Sequence, residues 1–237
     1  MENLVAIIPA AGAGKRLGLG INKAFAKINS VPLLVHCLTM LSATGMITRA
    51  IVVLAADEVE EGYELLKSYQ AEHFATLPFV VVAGGKERQD SVVNALEAIT
   101  ETEGYVAVHD GARPFAGKEV FVRTLQAAKK YGAAIAAVPV KDTIKVVNEE
   151  GEVTATPARS SLYAVQTPQI FEVNLLKAAY ANLAQNPAQV TDDASVVELL
   201  GHKVVVAQGR YENIKITTPE DLLFAENLLA QQEKRDG

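Results

Sequence analysis

The fold is decided by Leu4-Val5-Ala6-Ile7-Ile8-Pro9-Ala10-Ala11-Gly12-Ala13-Gly14-Lys15-Arg16-Leu17-Gly18, where an apolar run gives way to a loop of small residues and cations. A short unbroken apolar run is typical of a buried parallel strand. Residues without bulk let the backbone approach a ligand closely, and successive free N–H groups in such a turn suit phosphate oxygens. The stretch therefore predicts a buried strand followed by a phosphate-binding loop.

This loop differs from the two familiar glycine-rich phosphate loops. A P-loop needs glycine where Pro9 stands and a hydroxyl residue where Arg16 stands. A dinucleotide fingerprint needs a third glycine at Leu17 and an acid about 20 residues further on, but the first acid after the loop is Asp57. Phosphate binding is therefore expected to depend on side-chain charge as well. The cations concerned are Lys15, Arg16 and Lys23. A tight turn with ordinary surface cations is the alternative.

Length and composition limit the class of protein. The chain has 237 residues, of which 49% are hydrophobic and 21% charged, enough for one large α/β domain. We expect a single domain over residues 1–237. The formal net charge of −6 argues against a general nucleic-acid binder, because that class presents a broad basic surface. Any anion site must therefore be local.

Neither a membrane segment nor a disulfide framework is expected. The early acid Glu2 and the short apolar run do not fit a secretory signal, and no stretch reaches the ~20 apolar residues that span a bilayer. The single cysteine, Cys37, excludes an internal disulfide and a thiolate metal cluster, and its apolar neighbours predict a core position. We expect a cytoplasmic protein that has no membrane partner.

Apolar runs alternate with helical patterns along the chain. The runs lie at residues 4–8, 50–55, 79–83, 105–109, 133–140 and 203–208. The helical patterns lie at residues 33–43, 58–71, 91–99, 118–130, 173–185, 193–200 and 219–230. The last helix has a clear start, with Thr218 as N-cap, Pro219 in the first helical position and Asp221 three residues after the cap. This alternation predicts a doubly wound, mostly parallel α/β sheet.

One segment interrupts the alternation. Residues 143–148 and 152–156 are rich in β-formers and flank a turn at 149–151, which predicts a β-hairpin. The hairpin falls between core strands, so we expect an arm, residues 141–160, that projects from the domain. A two-stranded hairpin is marginal in water by itself. Dimerisation through this arm is therefore expected.

Polar segments follow the strands at the edge where α/β sheets bind ligands. They are residues 9–18, 84–91, 109–114 and 211–217. Each has an ordinary structural explanation, such as a turn at Asp110 or an exposed charge at Lys215, but the fold brings them to one crevice. Small-residue loops, several cations and one aspartate suit a nucleoside triphosphate with Mg²⁺. Since no nucleophile grouping or HExxH pattern occurs, we expect transfer by positioning and charge.

Seven motifs, in order along nearly the whole chain, resemble the 2-C-methyl-D-erythritol 4-phosphate cytidylyltransferase family. They are residues 9–16 with Lys23, 84–91, 109–114, 142–143, 166–169, 191–194 and 213–215. The resemblance implies a Rossmann-like nucleotidyltransferase fold and a homodimer. It also implies that CTP and methylerythritol phosphate give CDP-methylerythritol and pyrophosphate, with Mg²⁺, in non-mevalonate isoprenoid biosynthesis.

The resemblance further implies residue roles. Arg16 and Lys23 are expected to stabilise the α-phosphate during transfer, while Arg159 and Lys215 place the second substrate's phosphate, Arg159 reaching the neighbouring subunit's site from the arm. The implied CTP-binding residues are Ala10, Ala11, Gly12, Gly14, Lys15, Gly85, Lys86 and Ser91. The implied substrate-binding residues are Asp110, Arg113, Thr143 and Thr167. Asp110 is also the implied Mg²⁺ ligand.

Two other functions share part of this pattern. A ribitol 5-phosphate cytidylyltransferase would keep the glycine loop and accept another polyol phosphate. A non-catalytic CTP-binding regulator would bind nucleotide and release no pyrophosphate. The contexts at residues 166–169 and 213–215 favour methylerythritol phosphate, and the loop spacing disfavours a dehydrogenase.

Overall fold

The computed structural model describes residues 3–12, 22–100 and 104–236. The strands are β1 (Leu4–Pro9), β2 (Lys27–Ile28), β3 (Val31–Pro32), β4 (Arg49–Leu54), β5 (Phe79–Ala83), β6 (Tyr105–Val108), β7 (Ala133–Pro139), β8 (Val146–Val147), β9 (Val153–Ala155), β10 (Tyr163–Glu172) and β11 (Val205–Gln208). The helices are α1 (Leu33–Thr44), α2 (Val59–His73), α3 (Arg88–Glu97), α4 (Gly117–Tyr131), α5 (Val173–Gln185), α6 (Asp193–Leu199) and α7 (Pro219–Asp236).

Seven strands form one sheet in the order β11-β7-β10-β6-β1-β4-β5. β1 pairs in parallel with β4 and β6, β4 with β5, and β11 with β7. β10 is antiparallel to both of its neighbours, β6 and β7. The mostly parallel α/β sheet expected from the alternating pattern is therefore confirmed.

The antiparallel strand β10 is the one strand of the seven-stranded sheet that the sequence pattern failed to predict. It contains Pro168, which cannot donate to a ladder and normally argues against an interior strand. The ladder to β7 shifts register between Val165 and Gln169, and the Thr167–Pro168 peptide bond is cis. The irregularity accommodates the proline, since bulges are one of the places where sheets tolerate it.

Most predicted helices are confirmed to within a few residues at either end. The third was predicted to open at Ser91, but α3 begins at Arg88 because Glu87 and Asp90 form a capping box that extends the first turn. The start of α7 is as predicted. Thr218 Oγ1 accepts from the Asp221 N–H at 3.4 Å, and the Asp221 carboxylate accepts from the Thr218 N–H at 2.9 Å.

The sheet is buried on both faces, which explains why its strands are continuously apolar. Alternate residues of β1 enter different cores: Ile8 packs with helices α1 and α4, whereas Ile7 packs with helices α3, α5 and α6. Cys37 lies in the first of these cores, fully buried as predicted, and burial raises the pKa of its thiol. Among the described segments, no helix has both the length and the apolar character needed to cross a membrane.

The predicted hairpin is present but shorter than expected. Its strands are β8 and β9, which pair antiparallel with each other and belong to no larger sheet in the part of the chain described. Their valines face solvent, with Val147 54% and Val153 58% exposed. The hairpin thus forms an apolar ribbon with no covering layer from the described residues of its own chain.

Candidate active site

A cleft of about 240 Å³ lies where the carboxyl ends of β1 and β5 meet the segment after β6. Its walls come from five separate stretches of the described chain, so the strand ends grouped by the sequence pattern do meet. The lining residues are Pro9, Ala11, Gly12, Lys23, Gly85, Lys86, Glu87, Arg88, Ser91, Asp110, Ala112 and Lys215. Among the predicted site residues, Gly14, Lys15 and Arg16 lie outside the described residues.

Asn22 holds the chain in place just before Lys23. Its Nδ2 donates to the Ala10 carbonyl at 2.8 Å and to the Glu58 carboxylate at 2.6 Å. Its Oδ1 accepts from the Ala24 N–H at 3.0 Å and so caps the short 3₁₀ helix that carries Lys23. Ala10 itself is 3% exposed, and its N–H donates to the Val53 carbonyl. The position of Lys23 beside the cleft therefore follows from a buried asparagine that the sequence analysis did not single out.

The paired glycines after β5 allow two loops to approach each other. A Cβ on Gly84 would lie 2.7 Å from Ser91 Oγ and 3.0 Å from Ala11 Cβ, so no larger residue fits without a shift. The Gly85 N–H donates to Ser91 Oγ at 3.2 Å, and that hydroxyl donates to the Glu87 carbonyl. Backbone and small side chains therefore form this wall, which suits a flat ring recognised through main-chain groups.

Asp110 gathers two cations at the opposite wall. Its Oδ2 lies 2.9 Å from Lys215 Nζ and 3.3 Å from Arg113 Nε, and the Arg113 Nη1 also donates to the Asn213 carbonyl at 2.7 Å. Burial alone would raise the pKa of Asp110, but the charges of Lys215 and Arg113 outweigh it and hold that pKa well below its usual range. The carboxylate is ionised at neutral pH, and the three groups together carry one net positive charge.

A buried hydrogen-bond chain lies behind Asp110. The Asp110 N–H donates to Thr167 Oγ1 at 3.0 Å, and Thr167 Oγ1 lies 3.1 Å from His109 Nδ1. His109 Nε2 lies 2.9 Å from the Arg113 carbonyl, which can only accept, so Nε2 carries the hydrogen and Nδ1 accepts from the Thr167 hydroxyl. Burial lowers the pKa of His109 to about 4. His109 is therefore neutral at physiological pH and supports the backbone of the Asp110 loop.

Thr167 is near the cleft without lining it. The side chain is 5% exposed, and its hydroxyl is engaged by Asp110 and His109. Its predicted contact with the second substrate stays a prediction.

Arg88 lines the cleft, and sequence reasoning gave it no role. It pairs with Asp193 Oδ2 at 2.5 Å, and the Tyr180 hydroxyl donates to Asp193 Oδ1 at 2.6 Å. Burial alone would lower the pKa of Arg88, but the Asp193 charge outweighs it and raises that pKa above its ordinary value. Asp193 lies on α6 and Tyr180 on α5, both far from Arg88 in sequence. Among the sequence motifs, only residues 191–194 include one of these two partners.

Thr143 and Arg159 stand apart from the cleft. Both are exposed on the arm, and Arg159 Nη1 donates to the Lys141 carbonyl at 3.0 Å. At the base of the arm, Lys141 Nζ lies 3.7 Å from the ring centre of Tyr211, whose hydroxyl donates to the Pro139 carbonyl at 2.9 Å. The structure therefore connects the arm to the segment before Lys215 but does not bring Thr143 and Arg159 to the described cleft of the same chain.

The donor set at the cleft fits a magnesium ion held mainly by its ligand. Within residues 3–12, 22–100 and 104–236, no group of three or more His, Cys, Asp or Glu side chains could hold a metal. Mg²⁺ in nucleotide sites usually uses one or two carboxylates together with phosphate oxygens and water. Both described ion pairs of Asp110 involve Oδ2, so its Oδ1 takes part in neither of them.

Comparisons with known proteins give a consistent result. The family model for IspD: 2-C-methyl-D-erythritol 4-phosphate cytidylyltransferase matches residues 4–231. The 2-C-methyl-D-erythritol 4-phosphate cytidylyltransferase of Bacillus thuringiensis (strain Al Hakam) is 50% identical over 230 residues, covering 96% of this chain and 98% of the relative.

Solved structures show the same similarity. The crystal structure of 4-diphosphocytidyl-2C-methyl-D-erythritolsynthase from Anaerococcus prevotii DSM 20548 has a TM-score of 0.83 at 33% identity and covers 97% of this chain and 99% of that one. The crystal structure of 2-C-methyl-D-erythritol 4-phosphate cytidylyltransferase from Thermus thermophilus has a TM-score of 0.76 at 34% identity, with coverage of 96% and 98%. The similarity extends over nearly the full length of each of these chains.

Proposed function

The chain belongs to the 2-C-methyl-D-erythritol 4-phosphate cytidylyltransferase family, and from that premise we propose how its cleft works as a CTP-dependent cytidylyltransferase. The enzyme transfers the cytidylyl group of CTP to 2-C-methyl-D-erythritol 4-phosphate, giving CDP-methylerythritol and pyrophosphate in isoprenoid precursor biosynthesis. The observation that carries the proposal for the site is the Asp110 cluster, where Lys215 and Arg113 hold positive charge beside a glycine-walled cleft.

The transfer needs no side chain that acts as a general base. An oxygen of the acceptor phosphate, already anionic at neutral pH, attacks the α-phosphorus of CTP. The new P–O bond forms as the bond to the bridging oxygen of pyrophosphate breaks, and the bonding electrons leave with pyrophosphate. The protein must therefore cancel the repulsion between two anions and hold them in line, which cations and orientation supply. Lys23 and Lys215 are proposed for this task, together with Arg16 and Arg159.

The glycine-walled side is proposed to hold CTP. Ser91 supports the Gly85 backbone, and these groups lie opposite the end of β1, so a cytosine ring could be read by main-chain donors and acceptors there. The proposed contacts are Ala10, Ala11, Gly12, Gly14, Lys15, Gly85, Lys86 and Ser91. Bound Mg²⁺ would neutralise charge on the triphosphate, and Asp110 is the residue proposed to hold it.

The opposite wall is proposed to hold methylerythritol phosphate. Lys215 and Arg113 both lie beside Asp110, and the acceptor phosphate is proposed to bind against these two cations, with Thr143 and Thr167 as further contacts. Asp110 binds Lys215 through a single oxygen, and an ammonium has three hydrogens to donate, so Lys215 could also bind an incoming anion.

We also propose a cytoplasmic homodimer in which residues 1–237 form one domain and the arm, residues 141–160, reaches the neighbouring subunit. The exposed valines of β8 and β9 support this, because an isolated two-stranded ribbon is marginal without something to pack on. In such a dimer Thr143 and Arg159 would complete the partner's site rather than their own.

Pyrophosphate release tests the function. We expect release from CTP with methylerythritol phosphate, and little or none when ATP, GTP or UTP replaces CTP. Faster turnover with ribitol 5-phosphate would indicate the related polyol-phosphate enzyme, and CTP binding without pyrophosphate release would indicate a non-catalytic regulator; neither alternative is favoured by the family match. Either result would refute the proposal.

A further inference from the structure

Asn213 is a fully buried polar residue that links the segments around the cleft. It is 0% exposed and lies two residues before Lys215. Its Nδ2 donates to the Thr167 carbonyl at 2.8 Å and to Gln166 Oε1 at 3.4 Å. Its own carbonyl accepts from Arg113 Nη1 at 2.7 Å. One residue therefore joins β10, the loop after β6 and the segment that carries Lys215.

The amide of Asn213 has a defined orientation. Its Oδ1 has no hydrogen-bond partner among the described residues. Rotating the amide by half a turn would point Oδ1 at two acceptors, the Thr167 carbonyl and Gln166 Oε1, so the orientation with Nδ2 toward them is the better one. A buried acceptor without a partner costs about 1–3 kcal/mol. Asn213 therefore donates both hydrogens of Nδ2 at this position, while its Oδ1 has no partner among the described residues.

Lys215 is anchored on both sides. Before it, Asn213 is fixed by β10 and Arg113. After it, the Ile216 N–H donates to the Ala112 carbonyl at 2.9 Å, and the Ile216 side chain is fully buried in the core under α7. The backbone at Lys215 is held between these anchors, which places Nζ 2.9 Å from Asp110 Oδ2. Loss of the Asn213 amide would remove the bonds of the first anchor to Thr167 and Gln166, and would leave the bond from Arg113 to the Asn213 main-chain carbonyl.

We propose that Asn213 is a positioning residue for the transfer reaction, fixing Lys215 and Arg113 around Asp110 at the spacing that the acceptor phosphate requires. It does not line the cleft, so it acts through its neighbours. The inference rests on the proposed function, because it takes Lys215 as a ligand of the second substrate. The hydrogen bonds of Asn213 run to β10 and to Arg113, on the acceptor side of the cleft, so its effect should fall on that side.

Steady-state kinetics with each substrate varied in turn test this role in Asn213→Ala and Asn213→Ser. We expect kcat to fall between about 10-fold and 100-fold, the scale on which small misplacements act. The KM for methylerythritol phosphate should rise, and the KM for CTP should stay within about twofold. Unchanged kcat and KM values per folded enzyme, or an equal rise in both KM values, would overturn the inference.

Three controls keep the result specific. Leu41→Ala, a change in the core near the carboxyl end of α1, which contributes no residue to the cleft, should lower stability and leave both KM values unchanged. Asn213→Ser retains one hydroxyl donor and so provides a folded variant if Asn213→Ala does not fold. In the Lys215→Ala background, Asn213→Ser should lower kcat/KM by a smaller factor than it does in the wild-type enzyme, because the two residues act together. Equal factors in the two backgrounds would contradict action through Lys215.

Different results would refute the proposed function and the positioning role of Asn213. A wild-type enzyme without acceptor-dependent pyrophosphate release would refute the proposed function. Normal wild-type turnover with unaffected Asn213 variants would refute only the positioning role.

Discussion

Acidification below about pH 6.5 should destabilise this protein through His109. The side chain is fully buried and neutral, and burial lowers its pKa from 6.5 to about 4. Between these values the unfolded chain binds a proton that the folded protein does not, so stability falls as the pH drops from about 6.5 to 4 and is unaffected by this group above 6.5. The difference corresponds to about 3 kcal/mol lost across that window.

His109→Gln isolates the contribution. Glutamine can still donate to the Arg113 carbonyl, and it does not titrate. His36 also has a pKa lowered by burial and is present in both proteins, so its effect cancels in the comparison. The assay is urea denaturation at several pH values from roughly 7.5 to 4, a range that includes the pKa of His109 in both the unfolded and the folded protein. The unfolding free energy is plotted against pH.

The wild-type curve should fall more steeply than the variant curve, and the gap between them should narrow by about 3 kcal/mol from neutral to acidic pH. Asp110, whose pKa is depressed, adds its own loss only as the pH falls below the ordinary aspartate range, so the two windows are separate. Parallel curves for the two proteins would refute the assignment of His109 as a neutral buried support.

Three further predictions concern the site and the arm. Lys23→Ala should lower kcat by ~10²-fold or more with a smaller change in the KM for CTP, the pattern expected for a group that stabilises the transition state; near-normal turnover would count against the assignment. Tyr180→Phe should raise the KM for CTP about fivefold at similar kcat, because Asp193 loses a hydrogen bond worth about 1 kcal/mol and so holds Arg88, which lines the cleft proposed for CTP, less firmly; an unchanged KM would show that CTP binding does not depend on this support of Arg88. Val153→Asp should convert a dimer into monomers in light scattering and reduce turnover, since it places a charge in the apolar ribbon of the arm; a dimer that persists would place the interface elsewhere.

The sheet was predictable because its chemistry is local. Apolar runs on strands buried on both faces, and caps such as Thr218 with Asp221, can be recognised over a few residues. β10 was not predictable in the same way, because Pro168 argues against a strand and only the register shift beside it makes the strand possible. The pairing of β10 with β6 and β7, which are distant in sequence, compensates for the unfavourable proline. Such pairing cannot be recognised from a local sequence pattern.

The site was predictable in its composition and less so in its support. The strand-end rule brought Gly85, Asp110 and Lys215 to one cleft, as the structure has them. The residues that hold those groups in place were missed. Arg88 depends on Asp193, about a hundred residues away, and Lys23 depends on the buried Asn22 cap. Such partners are fixed by tertiary packing, so motif spacing alone does not reveal them.

A crystal structure with CTP and Mg²⁺ bound would show directly whether this cleft is the nucleotide site. We expect the cytosine ring against the backbone at Gly85 and Ser91, and the triphosphate against the end of β1 within reach of Lys23. The Asp110–Lys215 pair should remain beside the α-phosphate. CTP bound outside this cleft, with Lys23 and Lys215 directed into solvent, would contradict the account.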